Sequence, residues 1–227
     1  ANLIAFAIDY FRNLQKKYGK GKDRKTEIRP FDTIEATKVV VRNLKLYVNR
    51  EEGFVGTSLK KDEYVADCSD IDDIIVFTAD GKMIITKVTE KSYIGKNIVH
   101  VGVFKKNDTR TVYNLVYRNG NDKISYIKRF TVTGIIRDKE YDVVEPHKDS
   151  QVLYFSANPN GEAEVISVIL RQAGSVKKLK WDINFADILI KGRSSRGNIV
   201  TKYAIKRIEL KEKGVSTLKP RKIWYDP

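Results

Sequence analysis

Short β-type segments, rich in Ile, Val, Tyr and Phe, follow one another with a period-two pattern from about residue 37 onward. In the clearest case, residues 74–78 and 83–88 lie on either side of Ala79-Asp80-Gly81. An Asp-Gly pair between two such segments is a strong signal for an antiparallel hairpin, because glycine adopts the left-handed backbone that a tight turn requires. We therefore predict a mainly β structure for this part of the chain.

The same pattern recurs at four further places, and we interpret each as a hairpin: residues 44–48 with 54–59, 112–117 with 124–130, 152–155 with 164–170, and 188–190 with 199–203. Similar segments begin at Gly53, Ser125 and Gly197, in steps of 72 residues. This repeat predicts a propeller-like array of about two to three blades, each with four antiparallel strands. A β-sandwich whose hairpins are similar by chance is the alternative.

Residues 1–18 carry the one long helical stripe, formed at spacings of three and four by Leu3, Ala7, Phe11, Leu14 and Tyr18. The helix either packs on the following domain or is the tail of a missing upstream domain, and its apolar stripe favours the second. We predict residues 1–30 as helix and linker, and residues 31–227 as the β domain. Because the chain starts without Met and ends abruptly, we expect a fragment with a truncated β domain.

Positive charge is concentrated toward the two ends of the chain. The net charge is +14, with 14 basic and 5 acidic residues in 176–227, 8 basic and 3 acidic in 1–30, and no net charge between them. Such localisation predicts a surface that binds a polyanion: nucleic acid, an anionic membrane or an acidic protein. No apolar run is long enough for a membrane-spanning helix. The single cysteine excludes an intramolecular disulfide and suits a reducing cytoplasm.

Histidine and cysteine, two residue types common in catalytic sites, are scarce, with two histidines and one cysteine in the chain. His100 lies in an alternating segment and His147 in a polar loop, so both are interpreted as structural or surface residues. An acidic cluster lacks the glycine and terminal glutamate of a calcium loop, and we interpret it as a connection between hairpins: Asp67, Asp70, Asp72 and Asp73. We expect no catalytic residue, metal or cofactor in this chain.

Residues 191–197, which we call the basic loop, combine three cations, two hydroxyls and two glycines. Such a loop suits phosphate oxygens, and none of its side chains is suited to reading a particular base. The candidate residues for contacts to a phosphate backbone are Lys191, Arg193, Ser194, Ser195, Arg196, Lys202, Lys128, Arg129, Lys60, Lys61, Lys206 and Arg207. Alternation implies that only one member of an adjacent pair faces a given side of a strand.

Four segments in order resemble one known family. Residues 75–82 are a hydrophobic strand followed by Thr-x-x-Gly-Lys, and residues 125–130 are similar to a Gly-Tyr-x-Lys-Arg strand. The basic loop with residues 200–203 is similar to the loop that carries the Gln-Arg-Arg-Gly-Gly-Lys-Gly box of gyrase, and residues 17–19 with 24–28 resemble the end of a catalytic core. Together they resemble the C-terminal domain of the A subunit of bacterial type IIA topoisomerases, gyrase and topoisomerase IV.

The resemblance implies a β-pinwheel, in which neighbouring blades exchange strands and a basic outer rim binds and bends duplex DNA. The basic loop lacks the Gln-Arg-Arg start, and Ser194-Ser195 stands where gyrase has Gly-Gly. This departure favours topoisomerase IV, whose domain guides DNA segment capture for ATP-dependent relaxation and decatenation. The DNA-wrapping domain of gyrase and a propeller-like protein-interaction module are the alternatives.

The resemblance also implies the partners. They are duplex DNA and, in a heterotetramer, the rest of the A subunit and the ATPase B subunit; no membrane is expected as a partner. In that assembly the cleaving tyrosine, ATP and Mg²⁺ belong to other domains. The implied location is the bacterial cytoplasm, in association with the nucleoid.

Overall fold

The computed structural model describes residues 2–22, 43–134, 136–172, 174 and 178–219, in which one helical unit and one β unit are separated by their contacts. The predicted N-terminal helix is confirmed as α1, Asn2–Tyr18. The Gly19 N–H donates to the Gln15 carbonyl at 2.8 Å, just after the helix ends. Leu3, Ile4 and Phe11 are exposed on α1. Within the described ranges, no helix has the length and apolar character needed to cross a membrane.

The β unit begins with a four-stranded first sheet. Its strands, in spatial order, are β3 (Glu63–Cys68), β1 (Leu44–Asn49), β2 (Phe54–Gly56) and β6 (Ser92–Tyr93). All three pairings are antiparallel.

The second sheet also has four antiparallel strands: β10 (Glu140–Asp142), β5 (Lys82–Lys87), β4 (Asp73–Thr78) and β7 (Ile98–Phe104). The turn between β4 and β5 contains the predicted Asp80-Gly81 pair, and Gly81 has a φ of +84°. The glycine therefore supplies the left-handed backbone on which the hairpin prediction depended.

The third sheet is the largest. It has the order β11 (Gln151–Asn158), β8 (Val112–Arg118), β9 (Ser125–Thr131) and β14 (Ile190–Gly192), and β15 (Asn198–Thr201) also pairs with β9. The strand β14 runs parallel to β9, whereas β15 runs antiparallel to it.

The fourth sheet has three strands in the described part of the chain: β13 (Lys180–Asn184), β12 (Val165–Leu170) and β16 (Ile205–Glu212). A short 3-10 helix, Phe185–Asp187, follows β13 directly. The Asn184 side chain accepts from the Ala186 N–H at its start.

Neighbouring sheets exchange strands, because some strands pair with a sheet that began earlier in the chain. The chain begins the second sheet with β4 and β5, returns to the first sheet with β6, and then adds β7 to the second. In the same way β10 returns to the second sheet after the third has begun, and β14 and β15 return to the third after the fourth has begun. This exchange confirms the predicted mainly β, pinwheel-type fold.

The number of sheets differs from the expectation: the described residues form four, rather than about two to three blades. The 72-residue step relates β2 to β9, the second strands of the first and third sheets, and passes over the second sheet. Its third member, at Gly197, leads into β15, a returning strand. The 72-residue step therefore does not count blades, because a returning strand has the same period-two alternation as a strand that begins a sheet.

Three of the five predicted hairpins are confirmed: β1 with β2, β4 with β5, and β8 with β9. The other two are wrong. Strand β11 pairs with β8 rather than β12, and β14 and β15 both pair with β9 rather than with each other. A polar turn between two strands marks a change of direction, but it does not determine whether the strands share a sheet.

Each pair of neighbouring sheets encloses an apolar core. Adjacent residues of one strand enter different cores: Ile74 and Val76 of β4 pack between the first and second sheets, and Ile75 and Phe77 between the second and third. A third core, which includes Val116 of β8, joins the third and fourth sheets. Because both faces of β4 and β8 are covered, these central strands contain near-continuous apolar runs.

The two histidines and Asp72 of the acidic cluster take part in ring packing or local hydrogen bonds. His100 lies on β7, with its ring 5.4 Å from the Phe155 ring, and the exposed His147 accepts from the Asp149 N–H through Nδ1 at 3.1 Å. Asp72 accepts from the Ser69 N–H at 2.9 Å in the connection between β3 and β4. Among the described residues, no group of His, Cys, Asp and Glu is arranged to hold a metal ion.

Burial lowers the pKa of His100 to about 4, with Arg50 acting in the same direction. The unfolded chain, with a histidine pKa near 6.5, therefore binds a proton before the folded one does, and stability falls as pH drops from about 6.5 to about 4. We expect the parent to lose up to about 3 kcal/mol more than His100→Phe across this window. Urea unfolding of both proteins at each pH measures this; parallel curves would contradict it.

Candidate nucleic-acid interface

The basic loop joins β14 to β15 at the edge of the third sheet, where both strands pair with β9. Gly197 has a φ of +94°, and a Cβ atom there would lie 2.5 Å from the Ile127 carbonyl oxygen. Only glycine combines this left-handed backbone with such a close approach. The end of the basic loop at Gly197 is therefore fixed by its contact with β9.

Lys128 of β9 lies beneath the basic loop and is 1% exposed. Its ammonium donates to the carbonyl oxygens of Arg193, at 2.6 Å, and Ser195, at 2.9 Å, and it also donates to the carbonyl of Val143. The prediction that Lys128 contacts DNA is therefore wrong for this structure, because all three N–H donors are used inside the protein. Lys128 instead holds the loop against β9.

Arg129, the next residue of β9, is also 1% exposed. The prediction that Arg129 contacts DNA is therefore wrong as well. Its guanidinium donates to the carbonyls of Gly161, at 3.0 Å, and Phe185, at 3.3 Å, and to the Asn114 side chain at 3.1 Å. Asn114 in turn donates to Glu164 at 3.1 Å. Arg129 thus connects the third sheet to two chain segments of the fourth: the one just before β12 and the one just after β13.

Alternation places Lys128 and Arg129 on opposite faces of β9, as the sequence implied. The sequence did not reveal that neighbouring structure covers both faces. Every residue of β9 from Ser125 to Phe130 is buried, so neither face is open to a ligand.

Arg193 is half-buried in the basic loop. Its guanidinium lies 4.2 Å from the centre of the Tyr141 ring and donates to the Gly134 carbonyl at 3.0 Å. The described residues provide no carboxylate partner for it. Stacking on an aromatic face positions the guanidinium while leaving its charge uncompensated.

Arg196 is exposed but internally paired. It forms a short ion pair with Asp122 and a second one, at 3.1 Å, with Glu145, and its guanidinium lies 4.7 Å from the centre of the Tyr126 ring. The Tyr126 hydroxyl also donates to Asp122, at 2.7 Å. Two carboxylates therefore offset the charge of Arg196, which makes it a weaker candidate for phosphate binding than Arg193.

The remaining residues of this region separate by exposure. Lys191 on β14, Ser194 in the basic loop and Lys202 after β15 are exposed, and neither lysine forms an ion pair within the described ranges. The Ser195 Oγ is buried and lacks a hydrogen-bond partner in the described structure. Ser194 is therefore the loop hydroxyl that a ligand can reach.

The other four predicted residues lie outside the basic loop. Lys60 and Lys61 are exposed in the connection between β2 and β3 of the first sheet. Lys206 and Arg207 are both exposed because β16 is an edge strand, and Arg207 pairs with Glu209 at 2.7 Å. The structure thus brings Lys191, Arg193, Ser194, Arg196 and Lys202 to one edge of the third sheet, and places the first-sheet lysines elsewhere.

Sequence reasoning missed the residues that organise the basic loop from a distance. Tyr117, Tyr141 and Glu145 contact it across 79, 52 and 51 positions of the chain respectively. Tyr126, by contrast, lies two residues before Lys128 in the segment already singled out, and its aromatic ring beside a cation was a usable signal.

A family model described as the topoisomerase C-terminal domain of Bacteroidota matches residues 45–213, most of the chain and nearly the whole described β unit. The chain belongs to this family. The resemblance inferred from the sequence is thereby confirmed, and the strand exchange described above is the architecture of this topoisomerase C-terminal domain.

Two further similarities accompany this match. The A subunit of DNA topoisomerase 4 from Borreliella burgdorferi is 28% identical over 212 residues, which cover 93% of this chain. The match takes in 32% of that protein, so the chain spans about a third of its length. The crystal structure of the C-terminal domain of DNA topoisomerase IV has a TM-score of 0.47 and 13% identity, over 82% of this chain and 65% of that one.

Replacing Lys128 by Met in this topoisomerase C-terminal domain should destabilise it by about 2 kcal/mol at pH 7, because three carbonyls lose their donor. The matched control is Lys123→Met, which removes an exposed lysine paired with Asp149 at 3.0 Å and should change the free energy of unfolding by less than about 0.5 kcal/mol. Urea unfolding monitored by circular dichroism measures both. Equal stabilities for the two variants would show that Lys128 does not hold the loop.

Comparison of the parent with Lys128→Met also yields a prediction about pH. Burial lowers the pKa of Lys128 to about 8, so above that pH the unfolded chain keeps a proton that the folded chain has released. Stability then rises with pH, and from pH 8 to 10 the parent should gain up to about 1.4 kcal/mol per unit relative to Lys128→Met. A difference between the two that does not change with pH would contradict the lowered pKa.

Proposed function

We propose that this domain binds duplex DNA without sequence preference and bends it, as the C-terminal domain of a topoisomerase IV A subunit. The observation that carries the proposal is the edge of the third sheet. There Lys191, Arg193 and Lys202 keep charges that no carboxylate of the described residues offsets. These side chains suit phosphate oxygens, and sequence-independent binding follows from phosphate contacts alone.

Bending requires contacts at more than one place along the DNA. A bend of 40–90° over a short site costs about 1–6 kcal/mol, which additional phosphate contacts must offset. Exposed cations on other sheets are available for these contacts: Lys60, Lys61 and Lys206. DNA that first contacts the basic loop and then reaches such a second group would be held in a bent form.

The domain would act as part of a larger enzyme. In that proposal it guides the capture of a DNA segment for ATP-dependent relaxation and decatenation, while cleavage, ATP and Mg²⁺ belong to the ATPase B subunit or to the rest of the A subunit. Residues 1–30 would connect it to the catalytic core. The assembly would work in the cytoplasm, at the nucleoid.

The basic loop also bears on the choice between topoisomerase IV and gyrase. It contains Ser194-Ser195 in place of two glycines, and one of its three cations, Arg196, is paired with acidic residues. Both features make tight wrapping by this loop less favourable. A topology assay on the reconstituted holoenzyme tests the choice: relaxation and decatenation are expected, and ATP-dependent negative supercoiling would indicate gyrase.

The DNA-binding proposal is tested by Lys191→Gln. Removing one exposed, unpaired cation should weaken binding to a mixed-sequence duplex about two- to tenfold, and should reduce the slope of log K against log salt by about 0.9 for the lost phosphate contact. The matched control is Lys45→Gln, which removes the same charge from an exposed position on β1. Fluorescence anisotropy over a salt series measures both quantities.

Two results would contradict the proposal. Equal effects of Lys191→Gln and Lys45→Gln would show that only total charge matters and that the edge of the third sheet is not the site. Duplex affinity that is absent, or nearly independent of salt, would instead favour a protein-interaction module whose contacts are mainly apolar. Arg196→Glu is avoided as a probe because it would also break two internal ion pairs.

A further inference from the structure

Two buried donors orient the peptide groups of the basic loop from its inner side. The Lys128 ammonium binds the carbonyl oxygens of Arg193 and Ser195, and the Tyr117 hydroxyl binds the carbonyl oxygen of Arg196 at 2.7 Å. Tyr117 is fully buried, and burial raises its pKa, so the phenol stays protonated and remains a donor. Three carbonyls of the loop are therefore turned toward the protein interior.

The orientation of these carbonyls fixes that of the N–H groups that follow them. The described chain contains no cis peptide bond, and in a trans peptide the N–H points away from the C=O. The N–H groups of Ser194, Arg196 and Gly197 are thus directed away from the two buried donors, toward the outer side of the basic loop.

None of these three N–H groups meets an acceptor in the part of the chain that the structure describes. The N–H of Ser195, between them, is already used, since it donates to the Gly192 carbonyl at 3.0 Å. Gly197 has a left-handed backbone, and its lack of a Cβ atom allows it to lie directly against the Ile127 carbonyl of β9. Of the three free groups, those of Arg196 and Gly197 are consecutive and end in a left-handed residue, which is a recurring anion-binding arrangement in proteins.

We propose that the outward N–H groups of Ser194, Arg196 and Gly197 form a binding site for a phosphodiester group. Lys128 and Tyr117 act as positioning residues that never touch the ligand. The inference rests on the proposed function, which it deepens by assigning the phosphate contact to the main chain. Main-chain N–H groups bind a phosphate whatever base it carries, so this contact is sequence-independent.

A hydroxyl group and two cations beside the site complete it. The Ser194 hydroxyl lies on one of the residues whose N–H is free, and Lys191 and Arg193 add positive charge that the described carboxylates do not offset. This division of roles explains why a buried lysine lies beneath a DNA-binding loop. Its charge faces the carbonyl ends of the peptide dipoles, which leaves the N–H ends to face an anion.

The site is tested by NMR on the ¹⁵N-labelled 227-residue chain, with dimethyl phosphate as the phosphodiester probe. We expect the amide signals of Ser194, Arg196 and Gly197 to shift and saturate with the probe. Sodium chloride at the same ionic strength should leave them in place. Binding of a mixed-sequence duplex is measured separately on the same protein by fluorescence anisotropy.

Tyr117→Phe separates a positioning role from a general structural one. It removes only the hydroxyl that holds the Arg196 carbonyl, so the response of the Gly197 amide should weaken while that of Ser194, oriented through Lys128, persists. Duplex affinity should fall about two- to tenfold, the effect of one hydrogen bond. The matched control is Tyr113→Phe, a buried tyrosine that makes no hydrogen bond to the basic loop in the described structure, and it should respond like the parent.

The outcomes distinguish this inference from the function on which it rests. If duplex DNA binds but the three amides do not respond to the diester, the main-chain site is wrong and side chains alone make the contact. If the amides respond but duplex DNA does not bind, the anion site stands and the DNA-binding proposal fails. An equal loss of response at Ser194 and Gly197 in Tyr117→Phe would overturn the assigned positioning role.

Discussion

Strand β9 is the element on which the rest of the β unit depends, because two consecutive buried cations on it bind chain segments that belong to different sheets. On one face of β9, Lys128 holds the basic loop. On the other face, Arg129 holds the chain segments just before β12 and just after β13. Their acceptors are mainly backbone carbonyls, which are left without ladder partners where the chain passes between sheets. Lys128 satisfies the Arg193 and Ser195 carbonyls together and avoids the larger cost of leaving them unpaired, whereas Arg129 adds a second donor to the Gly161 and Phe185 carbonyls, which already accept the N–H groups of Thr217 and Ile188.

The strand exchange explains why these carbonyls exist. A blade closed by its own four strands would satisfy its backbone locally, whereas here β14 and β15 return to the third sheet from the fourth. The basic loop between them leaves the hydrogen-bond ladder for five residues, 193–197, at the edge of β9. The structural requirement and the proposed DNA contact thus involve the same segment: the interruption that requires Lys128 on its inner side also leaves the N–H groups proposed to bind phosphate on its outer side.

The local part of this fold could be predicted from the sequence, and the non-local part could not. The Asp80-Gly81 turn and the alternation of β4 and β5 identify a hairpin, since turn and partner strand lie within a dozen residues. The destination of β15 depends on β9, more than 70 positions earlier, and nothing in the alternation of residues 198–201 marks that partner. The candidate site shows the same limit, because Lys128 and Arg129 have the composition of an exposed basic pair and are buried by segments far away in sequence.

Net charge is therefore an incomplete guide to which residues of such a domain meet a polyanion. The chain carries +14, yet Lys128 and Arg129 are enclosed, and carboxylates accompany Arg196, Arg207 and Lys211. At the edge of the third sheet, Lys191, Arg193 and Lys202 are the cations to which the described residues offer no carboxylate partner. These cations flank peptide N–H groups that Lys128 and Tyr117 turn outward, so under the proposed function the affinity at this edge would depend on buried residues as much as on exposed ones.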